Sequence, residues 1–159
     1  MYCDRRRPII TGILVALAWA ILPALPAFSH CEIPCGIYGD EMRIAMMQED
    51  IATIEKSTKQ IMELSKQTKP NYNQIVRWVE NKEHHADKIQ EVVTQYFLTQ
   101  RVKPVQQKDS AGHGAYVQKL TLLHEMMFYA MKCKQTTDLA HVEQLKKLVD
   151  AFSKAYFSK

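Results

Sequence analysis

Hydrophobic residues recur at three- and four-residue steps in four stretches of the chain after residue 39. This spacing places them on one face of an α-helix and leaves the charged residues on the opposite face. Four amphipathic helices with short connections predict an all-α fold, an antiparallel four-helix bundle. The predicted helices run from Asp40 to about Lys69, from about Asn71 to Gln100, from about His113 to Lys134, and from about Asp138 to Phe157.

Residues that favour helix ends set the predicted boundaries. Asp40 is a typical N-cap, and Pro70 disfavours the α conformation in the residue before it. Residues 101–112, which contain Pro104 and a polar run, predict a loop. The predicted core positions are Ile44, Met47, Ile51, Ile54, Thr58, Ile61 and Leu64; Tyr72, Ile75, Val76, Val79, Ala86, Ile89, Val93, Tyr96 and Phe97; Tyr116, Val117, Leu120, Leu123, Met127, Ala130 and Met131; and Leu139, Val142, Leu145, Leu148, Val149, Phe152 and Tyr156.

Residues 1–29 have the pattern of a leader. Three arginines precede an uncharged apolar stretch from Ile9 to Leu22, and small residues stand three and one positions before a cut after Ser29. This pattern is typical of a cleavable secretory signal peptide, so we expect an exported protein, periplasmic or extracellular, with no stable membrane anchor after cleavage. A twin-arginine export signal and an uncleaved signal-anchor are the alternatives.

Cleavage would leave residues 30–159 as a single domain of modest charge. The leader contains three of the 21 basic and one of the 17 acidic residues, so 18 basic and 16 acidic residues remain, a net charge of +2. Without a basic cluster interleaved with aromatic residues, this charge predicts no nucleic-acid partner. Of the four cysteines, Cys3 would leave with the leader, and we expect Cys133 to be a buried small apolar residue at a helix end.

The candidate chemistry lies in residues 30–38, HCEIPCGIY, which we call the hook. Cleavage after Ser29 would give His30 a free amine. That amine, the amide nitrogen of Cys31 and the thiolates of Cys31 and Cys35 can form a square N2S2 plane, to which the imidazole adds a fifth ligand. Square-planar nitrogen-containing sites suit Ni(II) or Cu(II), and thiolates add Cu(I) and Zn(II) to the candidates.

The pattern HCxxPCGxY resembles the nickel-binding hook of the nickel-dependent superoxide dismutases. The likeness continues into Gly39–Ile44, His84-His85 and Tyr96-Phe97. It implies superoxide as substrate, one nickel ion (Ni2+/Ni3+) per subunit, and a homohexamer of four-helix bundles. In that family the hook is the mature N-terminus, released by a dedicated processing peptidase from a short pro-segment. The leader here differs by its likeness to an export signal.

The resemblance also assigns roles to four candidate catalytic residues. His30 gives the amine and the axial imidazole, Cys31 a thiolate and its amide nitrogen, and Cys35 the second thiolate, which makes these three the metal ligands. Tyr38 corresponds to a tyrosine that guards the substrate channel; packing of the hook on the bundle is the alternative role.

The residues expected to support the axial histidine depart from the family pattern. The family has a glutamate early in the first helix that binds the axial histidine, but this chain reads Arg43-Ile44-Ala45 there. A metal-bound imidazole normally needs such an acceptor, and Glu49 and Asp50 are both candidates. Arg77 and Trp78 are candidates for a supporting role.

Two further hypotheses stay open from the sequence. One is a non-enzymatic exported protein that binds nickel or copper through the same hook. The other is a secreted helical interaction module with a disulfide between Cys31 and Cys35. His84 and His85 point about 100° apart on a helix, so we expect surface or inter-subunit groups rather than ligands of one metal.

Overall fold

The computed structural model describes residues 38–158, with the side chains at 110 and 111 excepted. The leader and the hook residues 30–37 lie outside this part. The described chain forms helix α1 (Asp40–Ser65), helix α2 (Tyr72–Glu91) with a π-helix (Val92–Arg101) directly after it, helix α3 (Ser110–Gln135) and helix α4 (Leu139–Phe157).

The four helices form a closed bundle. Helix α1 packs against α2 and α4, and α3 packs against the same two helices. The start of α1 lies beside the end of the π-helix and the end of α4, so successive helices run in opposite directions. The all-α four-helix prediction is therefore confirmed. Among the described helices, none combines the length and apolar character that a membrane span requires.

The core follows the predicted stripes with a few differences. Met47, Ile89, Phe97 and Phe152 are fully buried, as predicted. On α3 the buried methionine is Met126, whereas its predicted neighbour Met127 is only partly buried. The first turns of α2 also differ, because Tyr72 and Val76 are 72% and 54% exposed. A periodic stripe indicates which side of a helix faces the bundle, but not how far along the helix the bundle extends.

The helix starts were predicted imprecisely. Helix α3 begins three residues early, because the Asp109 side chain accepts a hydrogen bond from the Gly112 N–H at 3.1 Å and caps the helix there. Helix α1 has Gly39 at its N-cap and Asp40 as its first residue. Asp40 does not cap the helix, because its carboxylate binds side chains from other helices. Helix α4 begins at Leu139, one residue after the predicted start, and Asp138 caps it by accepting a hydrogen bond from the Ala140 N–H at 2.9 Å.

The two helices of the first pair end differently from the prediction. Helix α1 ends at Ser65, before the predicted Lys69. The second helical run reaches Arg101 rather than Gln100, and its last ten residues are π-helical. The Val102 N–H donates to the Phe97 carbonyl at 2.8 Å, a step of five residues. Such π-helical turns are rare and occur frequently at functional sites.

Candidate metal centre and the side chains at its root

The predicted metal ligands His30, Cys31 and Cys35 lie outside the described residues. Within residues 38–158, no three His, Cys, Asp or Glu side chains come close enough together to hold a metal ion. Of the four predicted site residues, Tyr38 is therefore the one whose surroundings the structure describes. It lies two residues before α1, at the point where the hook joins the bundle.

Tyr38 packs on groups contributed by the π-helix. Its ring centroid lies 4.1 Å from the guanidinium carbon of Arg101, a cation–π contact. The ring of Tyr96 meets it edge to face, with centroids 6.2 Å apart. Tyr38 remains 47% exposed, so one side of the ring is held against the protein and the other faces solvent.

Beside Tyr38, three side chains converge on the carboxylate of Asp40. The Arg101 Nε donates to both carboxylate oxygens, at 2.9 and 3.1 Å, and its Nη2 donates to Oδ2. The Tyr156 hydroxyl donates to Oδ2 at 2.9 Å, and the Tyr96 hydroxyl donates to Oδ1. Charge-assisted bonds of this kind are among the stronger hydrogen bonds in proteins. We call Asp40, Tyr96, Arg101 and Tyr156 the root cluster.

The root cluster also holds the backbone that leads into the hook. The Gly39 N–H donates to the Tyr96 hydroxyl oxygen at 3.1 Å. The same hydroxyl donates its proton to Asp40, so it links the peptide group of residue 39 to the carboxylate of residue 40. The side chain and the backbone at the base of the hook are thus fixed by one tyrosine.

The electrostatics keep the root cluster in a single protonation state near neutral pH. Burial alone would raise the pKa of Asp40, but hydrogen bonds from Arg101, Tyr96 and Tyr156 outweigh it and hold that pKa below its usual value. Burial, together with the hydrogen bond to Asp40 and its negative charge, raises the pKa of Tyr96 to about 12. The same causes raise the pKa of Tyr156. The hydrogen bond to Asp40 raises the pKa of Arg101.

An open depression lies at this end of the bundle. Its volume is about 430 Å³, and Tyr38, Arg101 and Phe157 line it together with residues 39–42. The depression adjoins the residue from which the hook extends. A groove of similar volume between α1 and α4, lined by Glu55, Glu143 and Lys146, carries no cluster of metal-ligating groups.

Other candidates for a supporting role lie elsewhere. The His85 Nδ1 lies 2.6 Å from Oδ1 of Asp50, which is 6% exposed. His85 is therefore not the surface group that was predicted, since it is bonded between α1 and α2, whereas His84 is exposed. Arg77 and Trp78 line a pocket near the start of α2, at the opposite end of the bundle from Tyr38. Within one subunit they cannot contact the hook's root.

The root cluster was missed in the sequence because each member had a simpler explanation there. Asp40 matched a helix cap, Tyr96 and Tyr156 matched core stripes, and Arg101 fell in the predicted loop. One signal was available in the sequence. Tyr96 and Tyr156 lie near the C-terminal ends of the second and fourth predicted helices, which meet at the same end of an antiparallel bundle. A buried tyrosine hydroxyl usually requires a hydrogen-bond partner.

The comparisons with known proteins bear on the whole domain. The family model described as nickel-containing superoxide dismutase matches residues 25–159. This match includes the hook and all four helices, and it begins five residues before His30. No curated protein and no solved structure gives a significant match. Because the family model spans most of the sequence, the chain belongs to the family of nickel-containing superoxide dismutases.

Proposed function

We propose that this enzyme disproportionates superoxide to O2 and H2O2 at a nickel ion held by its own N-terminal hook, His30 to Tyr38, after cleavage behind Ser29. The observation that carries the proposal is the family match over residues 25–159, which includes the complete donor set. The family accounts for nickel as the cofactor and superoxide as the substrate. The assignment to individual hook residues is our proposal.

The donor set of the hook suits nickel. The amine of His30, the amide nitrogen of Cys31 and two thiolates supply the nitrogen and sulfur donors of a square plane. Cleavage is essential, since the nitrogen of His30 is otherwise acylated by Ser29 and cannot serve as an amine ligand. Bound in this way, nickel would supply the one-electron couple needed to oxidise one superoxide and reduce the next. Two protons are consumed for each H2O2 formed.

The described residues next to the hook support this proposal. Tyr38 is the last residue of the hook, and its ring is packed on Arg101. The Tyr96 proton is engaged by Asp40, and its pKa of about 12 keeps it in place at neutral pH. Tyr96 therefore acts as a fixed hydrogen-bonding group rather than a proton donor. Tyr38, at 47% exposure, is the described hydroxyl placed to meet water and small anions.

Export and assembly complete the proposal. The pattern of residues 1–29 supports transport to the periplasm or the extracellular space before or during removal of the leader. Eight hook residues precede Tyr38 and are too few to enclose an ion alone. We therefore expect the bundle or a neighbouring subunit to cover the hook, as in a homohexamer.

The decisive experiment determines the N-terminal residue and the metal content of the secreted protein. Edman sequencing or intact mass should give His30 as the first residue, and elemental analysis should give about one nickel per subunit. Superoxide dismutation should persist in cyanide. A secreted chain that begins at any other residue would refute the proposed site.

Hook variants test the ligands individually. Cys31→Ser, Cys35→Ser and an extra alanine before His30 should each abolish activity, because each removes or blocks a donor. Cys133→Ala is the matched control, since Cys133 is 1% exposed at the opposite end of the bundle. Full activity in any hook variant would contradict the assignment.

The same samples separate the two other hypotheses. Stoichiometric nickel or copper binding with no superoxide turnover would indicate a metal-binding protein without enzymatic activity. A mass of the non-reduced chain two units below that of the reduced chain would indicate a Cys31–Cys35 disulfide. Either result, obtained on protein that begins at His30, would replace the proposed function.

A further inference from the structure

The π-helix determines which side chains face the start of α1. In an α-helix, residues five positions apart point about 140° away from each other, because each residue turns by about 100°. Tyr96 and Arg101 are five positions apart. In a π-helix the hydrogen bond joins residues i and i+5, so such residues face the same side of the helix.

The contacts match this geometry. Tyr96 and Arg101 both bind the carboxylate of Asp40. They also contact the same hook residue, since the Arg101 guanidinium and the Tyr96 ring both pack on Tyr38. A side-chain hydrogen bond also joins residues five positions apart: the Thr99 hydroxyl donates to the Thr94 carbonyl at 2.7 Å.

We propose that Asp40 and Arg101 are positioning residues for the metal centre: the π-helix presents Arg101 to Asp40 and Tyr38, and these contacts fix Tyr38 and Gly39, the first described residues after the proposed ligands. The inference rests on the proposed function. It concerns residues outside the hook, and it assigns a purpose to the π-helix. Neither residue touches the metal in this proposal, since both act through Tyr38 and Gly39.

The arrangement requires both partners. The Arg101 and Asp40 side chains are 25% and 16% exposed, so water competes only partly for their bonds. Without Arg101, Tyr38 loses its cation–π contact and Asp40 keeps only its two tyrosine donors. Without the carboxylate of Asp40, the guanidinium has no fixed partner and the start of α1 is released from the end of the π-helix. In both cases we expect the nickel ion to be held less tightly.

The test uses nickel-loaded, processed protein and measures the rate of nickel release to excess EDTA, together with superoxide dismutation. Arg101→Gln and Asp40→Asn should release nickel at least tenfold faster than the parent protein. Arg101→Lys keeps the charge but not the planar, two-pronged donor, and it should restore part of the difference. Circular dichroism at the assay temperature checks that the helices remain formed.

Asp87→Asn is the matched control. It removes a more exposed ion pair, in which the Lys134 Nζ lies 2.6 Å from Asp87, away from the root cluster. Its nickel-release rate should stay within twofold of the parent. If Arg101→Gln also stays within twofold while its helices are intact, the proposal is wrong.

A second variant covers the case in which Arg101→Gln fails to fold. Insertion of one glycine between Tyr38 and Gly39 leaves every side chain of the root cluster in place but separates the hook from it. We expect the same faster nickel release, and an unchanged rate would also overturn the proposal. Failure of the proposed function is a distinct result, because the parent protein itself would then lack nickel or activity.

Discussion

Each end of the bundle holds a charged side chain largely away from solvent, partly buried Asp40 at one end and buried Lys82 at the other, but the two are stabilised differently. At the hook end, the carboxylate of Asp40 receives a guanidinium and two phenol hydroxyls. At the far end, Lys82 is only 3% exposed, and its ammonium donates to the carbonyls of Lys134 and Thr136, both at 2.9 Å. These carbonyls lie where α3 ends, so Lys82 caps that helix.

The difference indicates what each end is built to do. Carbonyl oxygens satisfy the hydrogen-bonding needs of Lys82 but supply no full opposite charge, and burial lowers its pKa. That arrangement closes a helix end and requires little directional accuracy. The hook end combines full charges with a planar guanidinium, whose geometry fixes the carboxylate in direction as well as in distance. The end that fixes a charged side chain in direction is thus the end from which the hook extends.

The largest effect on stability should follow the loss of the carboxylate at the hook end. Asp40→Ala leaves Arg101, Tyr96 and Tyr156 without their common partner, and we expect the free energy of unfolding to fall by about 3 kcal/mol. Denaturant unfolding of the processed protein at pH 7 measures it. Asp150→Ala, which breaks an exposed bond to Gln48, is the control and should cost under about 0.5 kcal/mol. Equal losses would contradict the comparison.

The far end should give a smaller loss and no effect on the metal. Lys82→Ala removes the donor shared by two carbonyl oxygens and leaves both without that partner. Because the variant also removes an unfavourable buried charge, we expect the free energy of unfolding to fall by only about 2 kcal/mol. Nickel release to EDTA should remain at the parent rate. A faster release in Lys82→Ala would mean that any loss of stability loosens the hook, and the two ends would then not differ in function.

The dependence of stability on alkaline pH distinguishes the contribution of Tyr96 from that of the Asp40–Arg101 ion pair. The pKa of Tyr96 is raised from 10.0 to about 12 in the folded state, so its contribution to stability is complete below pH 10 and is lost as the pH rises towards 12. Tyr96→Phe should lower the free energy of unfolding at pH 7 by about 1 kcal/mol and weaken this alkaline dependence. Tyr156→Phe is the matched variant. An unchanged dependence in Tyr96→Phe would exclude Tyr96 as its source.

The last prediction concerns the reactivity of the thiol at the far end and expects no change in stability. Burial raises the pKa of Cys133 to about 11, so its reactive thiolate is scarce near neutral pH. We expect alkylation of Cys133 by iodoacetamide at pH 8 to be at least a hundredfold slower than in the denatured chain. Peptide mass spectrometry over time measures the rate. Rapid labelling in the folded protein would show that this end opens readily.

The sequence predicts the bundle well because its information is periodic. Ile51, Ile89, Leu145 and Phe152 recur at helical spacing and are all buried. The prediction that Cys133 is a buried apolar residue is confirmed as well, and its thiol is 1% exposed. For such residues the face of the helix decides burial, and spacing along the chain determines that face.

The root cluster required information that spacing cannot provide. The spacing of Val93, Tyr96 and Phe97 fits an α-helix as well as a π-helix. The π-helical turn is therefore evident only from the position of Arg101. Asp40 is a suitable cap by residue type, but three partners from distant parts of the chain draw its carboxylate away. The spacing of the proposed ligands in the hook is a local property of the chain, so the sequence alone can indicate it. The support of that hook depends on tertiary contacts.

Tyr38 is the first described residue after the proposed metal ligands, and the length of chain between them limits how far the metal can lie from it. After the proposed cleavage eight residues precede Tyr38, which span at most about 28 Å when fully extended. Cys133 lies 23 residues along α3 from its start at the same end of the bundle, about 35 Å away at 1.5 Å per residue. In the proposed centre, the remaining thiol would therefore lie beyond the reach of the nickel ion of its own subunit. Distance alone would then prevent Cys133 from competing as a sulfur ligand.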